Sequence, residues 1–143
     1  MELIAKTFTE LNVDELYEII KSRTEVFLLE QKIICQDLDD VDRHSLHCFF
    51  YDKGRVVAYL RAFTTGADEV TMGRVLTLEH GKGIGTELMQ KSLEEVKARY
   101  CCEKVCIHAQ KQAEKFYKKL GFEVVSGEYL EEGVVHVSME KQV

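Results

Sequence analysis

A glycine-rich turn in the middle of the chain has the residue types and spacing of a phosphate-binding site. Gly81, Gly83 and Gly85 alternate with Lys82 and Ile84, directly after a strand-like segment and directly before a helical pattern. The first N–H groups of a helix have no partner inside the helix, and the helix dipole makes that end positive. Glycines let an anion approach such groups closely. The turn therefore predicts a site for phosphate or pyrophosphate, although a turn that binds no ligand can have the same sequence pattern.

The spacing of these glycines excludes two well-known phosphate loops. A Walker loop requires a Gly-Lys pair followed by Ser or Thr, and no such triplet occurs in the chain. The dinucleotide-binding fingerprint GxGxxG fails as well, because its third glycine falls on Thr86 when counted from Gly81 and on Leu88 when counted from Gly83. The turn is therefore of another kind.

Three further side chains have the chemistry to accept a proton. His44 and His136 belong to the residue type that titrates near neutral pH, and Glu30 can act as a base where it is buried. Each has a structural alternative, because a strand histidine can satisfy a hydrogen bond in the core and Glu30 can cap a helix or pair with Arg74. The residues alone leave these alternatives open.

The glycine-rich turn and a downstream segment together resemble the GCN5-related N-acetyltransferases. The loop of that family reads Arg/Gln-x-x-Gly-x-Gly/Ala, and residues 80–85 here read His-Gly-Lys-Gly-Ile-Gly, so that His80 replaces the usual Arg or Gln. The family's later segment reads Asn-x-x-Ala-x-x-Phe-Tyr-x-x-x-Gly-Phe. The matching residues here are Gln110, Ala113, Phe116, Tyr117, Gly121 and Phe122.

The resemblance implies that acetyl-CoA binds to this chain as the acetyl donor. Backbone amides of the loop hold its pyrophosphate, the splayed end of the preceding strand pairs with its pantetheine arm, and Tyr117 protonates the departing thiolate. The implied cofactor contacts are Val75, Leu76, Thr77, His80, Gly81, Lys82, Gly83, Ile84, Gly85, Thr86, Gln110 and Tyr117. Tyr117 also belongs to an apolar helix stripe, so core packing and the acid role are compatible.

The N-terminal half and the last strand narrow the resemblance to the ElaA-type branch of the family. The segments that match are residues 23–31, Asp37, Asp39, Asp42, His44, residues 73–75 and residues 132–139. They follow in the order of that branch over nearly the whole chain. The prolines that the branch has near Ile34 and at position 135 are absent, since the chain contains no proline.

The reaction implied by the resemblance is direct attack of a neutral amine on the acetyl thioester. Amines are mostly protonated at neutral pH, so a general base must remove a proton, and the candidates are His136, His44 and Glu30. The acceptor is a small-molecule or peptide amine; the acidic run over 37–42 favours a cationic one, but acids also form solvated loops. Two other functions stay open: an acetyl-CoA sensor without turnover, and a protein-interaction module that uses residues 27–29.

Composition is that of an ordinary soluble domain, and it excludes several classes of protein. The 143 residues are 45% hydrophobic and 31% charged, which predicts one domain over 1–143. A net charge of −6 argues against a general nucleic-acid binder, and no apolar stretch is long enough for a membrane span or a signal peptide. Five cysteines without a CxxC pair predict a reducing, cytoplasmic location and no metal site. A homodimer stays open.

The elements that position these residues follow from hydrophobic periodicity and turn signals. Strands are predicted at 2–8, 46–51, 55–63, 69–78, 104–109, 123–130 and 134–140. Helices are predicted after Asn12, with a stripe of Val13, Leu16, Tyr17 and Ile20, over 23–31 as a helix or turn, over 84–100, and from Ala113 to a C-cap at Gly121. The order β-α-α-β-β-β-α-β-α-β-β is α/β (α+β). With the resemblance, it implies a mixed central sheet of about seven strands with flanking helices.

Overall fold

The computed structural model describes residues 1–143 and has the mixed α/β architecture that the sequence predicts. Its strands are β1 (Ile4–Thr7), β2 (Leu46–Asp52), β3 (Arg55–Gly66), β4 (Glu69–Thr77), β5 (Lys104–Gln110), β6 (Glu123–Val124), β7 (Tyr129–Glu131) and β8 (Val134–Gln142). Its α-helices are α1 (Val13–Arg23), α2 (Ile84–Tyr100) and α3 (Glu114–Lys119), and α1 continues as a π-helical segment, Thr24–Glu30. Short 3₁₀ helices lie at Phe8–Glu10, Val41–His44 and Lys111–Ala113. No helix is both long enough and apolar enough to cross a membrane.

The strands form one sheet in the order β1-β2-β3-β4-β5-β8-β6, with β7 also paired to β8. Only β4 and β5 are parallel neighbours, so the predicted mixed sheet is confirmed. The single strand predicted over 123–130 is wrong, because it is divided into β6 and β7. Between them, the N–H of Ser138 in β8 donates to the side-chain oxygen of Ser126 at 2.8 Å. A side chain thus replaces a backbone partner and interrupts the ladder.

Helix α1 begins as predicted but buries another face. The side chain of Asn12 accepts from the N–H of Glu15 at 2.7 Å, and the Glu15 carboxylate accepts from the N–H of Asn12 at 2.9 Å, which is a capping box. The predicted apolar stripe is wrong, since Val13 and Tyr17 are 84% and 67% exposed and Arg23 is buried. Arg23 binds carboxylates beneath the helix, and these polar contacts decide which face turns inward.

The apolar residues form two clusters on opposite faces of the sheet. The larger cluster packs α2 and α3 against residues such as Cys48 and Leu60, and the smaller one packs α1 against Phe49 and Tyr59, because neighbouring strand residues face opposite ways. The core face predicted for α2 is confirmed. Its buried residues include Leu88, Met89, Leu93 and Val96.

The sheet opens in its middle, between β4 and β5. These strands pair only over residues 69–72 of β4. Residues 73–77 then pair with β3 alone, whereas β5 continues along β8 as far as Gln110, which lies opposite His136. The register of β3 and β4 shifts beside Arg74, whose φ of 53° lies in the left-handed region that non-glycine residues seldom adopt. The two strands diverge from this point and leave a gap.

Candidate functional site

The gap between β4 and β5 contains a cavity of about 550 Å³. Side chains reach it from both faces of the sheet: Tyr117 comes from the α3 side, and His136 comes from the opposite face. Of the residues predicted for the site, those that line the cavity are Val75, Gln110, Tyr117 and His136. The structure therefore brings the predicted acid and one predicted base to the same cavity. Glu30, His44 and the loop over 80–86 do not line it.

The glycine-rich loop presents unpaired N–H groups at the start of α2. Gly81 and Gly83 have φ of 78° and 75°, the left-handed region that glycine adopts without strain. Gly83 is the N-cap and has no side chain to accept a hydrogen bond, and the N–H groups of residues 81–86 donate to no protein acceptor. A Cβ on Gly85 would lie 3.4 Å from the ring of Phe116, an ordinary contact distance, so this position leaves room for a small side chain. The N–H groups are free to bind an anion.

Two exposed polar contacts lie on the outside of this loop. Lys82 contacts Glu79 at 2.7 Å, and the bond from Lys82 lowers the pKa of Glu79. His80 Nε2 lies 3.1 Å from Glu30 Oε1, with both side chains exposed. The alternative in which Glu30 pairs with Arg74 is therefore wrong. Glu30 instead ties the π-helical segment to the loop.

The open edge of β4 leads from the loop to the cavity. The N–H of Leu78 donates to the carbonyl of Val57 in β3 at 2.9 Å. Backbone groups alternate along an antiparallel strand, so Leu76 also pairs with β3, while the N–H and C=O groups of Val75 and Thr77 point to the edge that β5 has left. An extended ligand can therefore add to this edge through Val75 and Thr77.

Tyr117 is buried at the cavity wall with its hydroxyl unpaired. Only 6% of the residue is exposed, and its ring packs edge-on between Phe116 and Phe122 at centroid distances of 5.1 Å and 5.9 Å. The hydroxyl makes no hydrogen bond to the protein, and burial raises the pKa of Tyr117 above its usual value. The phenol is therefore protonated at neutral pH and available to donate.

His136 also lies at the wall, with both ring nitrogens near oxygen atoms. Nδ1 is 2.7 Å from the carbonyl oxygen of Val134, and Nε2 is 3.4 Å from Glu131 Oε2. The other oxygen of Glu131 is 3.3 Å from Nδ1 of His108. The ring of Tyr129 stacks on His136 at 6.1 Å. His44, by contrast, is exposed at the end of the 3₁₀ helix Val41–His44 and does not line the cavity.

The acidic run is bound to three arginines. Arg23 is 1% exposed, and its Nε and Nη1 lie 2.9 Å from Asp37 and 2.6 Å from Asp42. Arg61 binds both oxygens of Asp39, at 2.7 Å and 2.8 Å, and reaches Asp42 at 3.0 Å. These bonds from Arg61 hold the pKa of Asp39 at about 2.

Arg74 completes this cluster from the left-handed position in β4. Its Nε donates to Asp37 Oδ1 at 2.8 Å, so three guanidinium groups balance the carboxylates of Asp37, Asp39 and Asp42. The interpretation of this run as an attraction for a cationic amine, or as a solvated loop, is therefore wrong for these three residues. They form a neutral ion-pair cluster that shapes the cavity wall.

Several residues of the site carried weak sequence signals. Arg61 is a charged residue inside the apolar run VVAYLRAF, which is typical of a buried ion pair. His108 alternates on β5 with the buried residues Ile107 and Ala109, so a period of two places it on the face away from the main core. Nothing in the sequence indicates that Glu131 contacts His108 or His136, because these contacts depend on how β7 pairs with β8.

Comparisons of sequence agree with this geometry. Residues 4–143 match the family model of the acetyltransferase (GNAT) domain. A UPF0039 protein of Schizosaccharomyces pombe is 34% identical over 147 aligned positions, which cover 100% of this chain and 98% of that protein. Protein ElaA of Escherichia coli is 33% identical over 141 positions, which cover 94% of this chain and 92% of ElaA.

Solved structures agree with the fold. The crystal structure of Escherichia coli ElaA matches with a TM-score of 0.92 and 30% identity, covering 99% of both chains. That of an acyl-CoA N-acyltransferase from Pseudomonas aeruginosa matches with a TM-score of 0.91 and 30% identity, covering 98% of both. The fold expected from the resemblance is therefore confirmed.

Proposed function

This chain belongs to the family of acetyltransferase (GNAT) domains, in its ElaA-type branch, and on that premise we propose that it transfers an acetyl group from acetyl-CoA directly to an amine. The family and the N-acyltransferase relative support acyl transfer in general. The donor, the acceptor and the roles of individual residues are the content of the proposal.

The observation that carries it is the continuous path from the loop to the cavity. Free N–H groups over 81–86 suit a pyrophosphate, and the open edge at Val75 and Thr77 suits an extended amide-containing arm. The path ends at the cavity that Tyr117 lines. These residues fit acetyl-CoA, which would supply a thioester whose carbonyl carbon an amine attacks.

Two side chains would handle the protons of the reaction. Nδ1 of His136 donates to Val134, which leaves Nε2 to accept a proton from the amine. Tyr117, kept protonated by burial, would donate to the departing sulfur. His44 lacks access to the cavity and Glu30 is paired with His80, so neither is proposed as the base.

The carboxylates that face the acceptor would be others than those of the acidic run. Glu131 and Glu132 line the cavity at the turn between β7 and β8, and no arginine or lysine pairs with them. A cavity of about 550 Å³ suits a small amine or one amine side chain of a peptide. We propose that the acceptor is an amine with few negative charges. We also propose that residues 1–143 form a single catalytic domain and that it acts in the cytoplasm, where free cysteines are stable.

The test is a panel of amines with acetyl-CoA, following release of the free thiol. Polyamines, amino sugars, amino acid amides and lysine peptides cover the acceptor classes, and omission of the amine measures background hydrolysis. Calorimetry with CoA is run beside it. Amine-dependent release supports the proposal; binding without release over the panel favours a sensor. Absence of binding favours an interaction module, for which the exposed Leu28 and Leu29 are the candidate contacts.

A further inference from the structure

One carboxylate joins two histidines at the cavity wall. Glu131 lies 3.4 Å from Nε2 of His136 through Oε2, and 3.3 Å from Nδ1 of His108 through Oε1. All three side chains line the cavity. Strand pairing sets this arrangement, because Gln110 of β5 and Tyr129 of β7 both lie opposite His136, and His108 and Glu131 are each two residues away on the same face.

The three groups run from the inside of the protein to its surface. The side chain of His136 is 9% exposed, that of Glu131 is 45% exposed and that of His108 is 54% exposed. No other charged side chain forms an ion pair with either histidine. The hydroxyl of Tyr129, whose ring contacts both imidazoles, bonds to Ser138 instead and does not compete for their nitrogens.

Acetyl transfer to an amine at neutral pH produces one proton per turnover. The acceptor enters as an ammonium ion and loses two protons while its nitrogen bonds to the carbonyl carbon and the carbon–sulfur bond breaks. The electron pair of that bond leaves with sulfur, which takes a proton from Tyr117, and the first proton that the nitrogen loses restores Tyr117. The second proton has to reach solvent, and Tyr117 offers no route, because its hydroxyl has no protein partner.

We propose that Glu131 and His108 conduct this second proton from His136 to solvent. His136 takes it on Nε2 and passes it to Oε2 of Glu131, whose carboxyl group rotates and delivers it to Nδ1 of His108 while Nε2 of His108 releases a proton to water. The charge of each group is then restored, and proton exchange between the 54% exposed His108 side chain and water returns its starting tautomer. The inference rests on the proposed function, with His136 as the base. Both contacts are within reach of proton transfer once substrate binding shortens them by a few tenths of an ångström.

The test compares His108→Ala and Glu131→Gln with the wild type, with Glu128→Gln as the control. Glu128 is exposed and pairs only with Lys111, at 3.6 Å, so its variant matches the loss of one carboxylate outside the path. We expect His108→Ala to lower kcat about 10-fold in dilute buffer, and added imidazole to restore it toward the wild-type value, because a mobile base replaces the missing relay. We expect Glu128→Gln to behave as the wild type.

Glu131→Gln tests the middle of the path. An amide cannot accept and pass on a proton, so this variant should also lower kcat in dilute buffer, and added imidazole should restore it toward the wild-type value. Loss of rate in His108→Ala that imidazole does not restore, or an unchanged kcat in Glu131→Gln, would overturn the proposal.

A separate measurement distinguishes failure of this inference from failure of the proposed function. Nitrogen-15 NMR of the histidine side chains in the free protein, at one pH, needs no acetyl transfer. Signals of His136 Nε2 and His108 Nδ1 that change in Glu131→Gln but not in Glu128→Gln support the contacts of the path even if no acceptor is found. Unchanged signals in both variants overturn it, whereas a wild type that binds CoA without transfer counts against the function alone.

Discussion

The loop before α2 and the ion-pair cluster behind the cavity are built in different ways. The loop uses consecutive residues over 80–86, and the groups that we propose for binding are backbone N–H groups that two left-handed glycines expose. The cluster uses side chains from four segments of the chain, and its bonds join residues 14 to 37 positions apart. One is a property of a short segment, and the other exists only in the folded protein.

This difference predicts which changes each region tolerates. If its N–H groups bind the cofactor, as we propose, the loop should accept side-chain changes such as His80 in place of Arg or Gln, but not a Cβ at a left-handed position. The cluster should be most sensitive to loss of a charge beside Asp42, because that carboxylate is largely buried and is neutralised by the guanidinium groups of Arg23 and Arg61. The predictions below test both statements.

The largest expected effect is that of Arg23→Met on stability. Met fills much of the same volume, but Asp42 loses the bond at 2.6 Å and stays largely buried. Removing one partner of a buried pair costs about 3–5 kcal/mol, so the free energy of unfolding in urea should fall by that amount.

The control for this prediction is Arg43→Met, since Arg43 pairs with Asp40 where both side chains are 65% and 91% exposed. It should change the free energy of unfolding by less than about 1 kcal/mol. The double variant Arg23→Met, Asp42→Asn should recover part of the loss, because the cluster then again has equal numbers of positive and negative charges, with Arg61 still bound to Asp39. Equal stability of the two single variants would mean that the cluster does not hold α1.

A smaller effect, on rate, is expected from Tyr117→Phe. The hydroxyl makes no hydrogen bond to the protein, so its removal should leave the free energy of unfolding nearly unchanged. If it protonates the leaving sulfur, kcat should fall about 100-fold while the KM for acetyl-CoA changes little. An unchanged kcat, or a loss that appears only in KM, would assign Tyr117 to packing.

Gly83→Ala tests the loop itself. The φ of 75° at Gly83 costs a residue with a Cβ about 1–2 kcal/mol, and relaxation of that strain would turn the N–H groups away from their shared direction. Calorimetry should show CoA binding weakened about 10-fold. Gly127→Ala is the matched control, because Gly127 has no positive φ and open space around it. Equal affinities would mean that the backbone of the loop does not bind the pyrophosphate.

The sequence predicted local features well and long-range ones poorly. The capping box at Asn12, the core face of α2 and the glycine-rich loop depend on residues within a few positions, and the structure has all three. The buried face of α1 depends on carboxylates 14 and 19 residues after Arg23, so apolar spacing gave the wrong face. The sequence of the acidic run predicts a solvated or substrate-attracting segment, because nothing within the run indicates that three arginines from other parts of the chain bind its carboxylates.

The smallest expected effect is an acid sensitivity that belongs to the cluster and not to the loop. Bonds from Arg61 hold the pKa of Asp39 at about 2, against 3.8 for a free side chain. A carboxyl whose pKa is lower when folded stabilises the protein above about pH 4, and that contribution is lost as pH falls toward 2. Asp39 is partly exposed, so screening keeps the contribution below about 1 kcal/mol. The gap in free energy of unfolding between the wild type and Asp39→Asn should therefore close between about pH 4 and pH 2.

The control is Glu79→Gln, which removes an exposed carboxylate from the loop. Solvent screens the contact of Glu79 with Lys82, so this variant should show no measurable gap at any pH. A gap for Asp39→Asn that did not change with pH would mean that packing, and not charge, makes the cluster rigid.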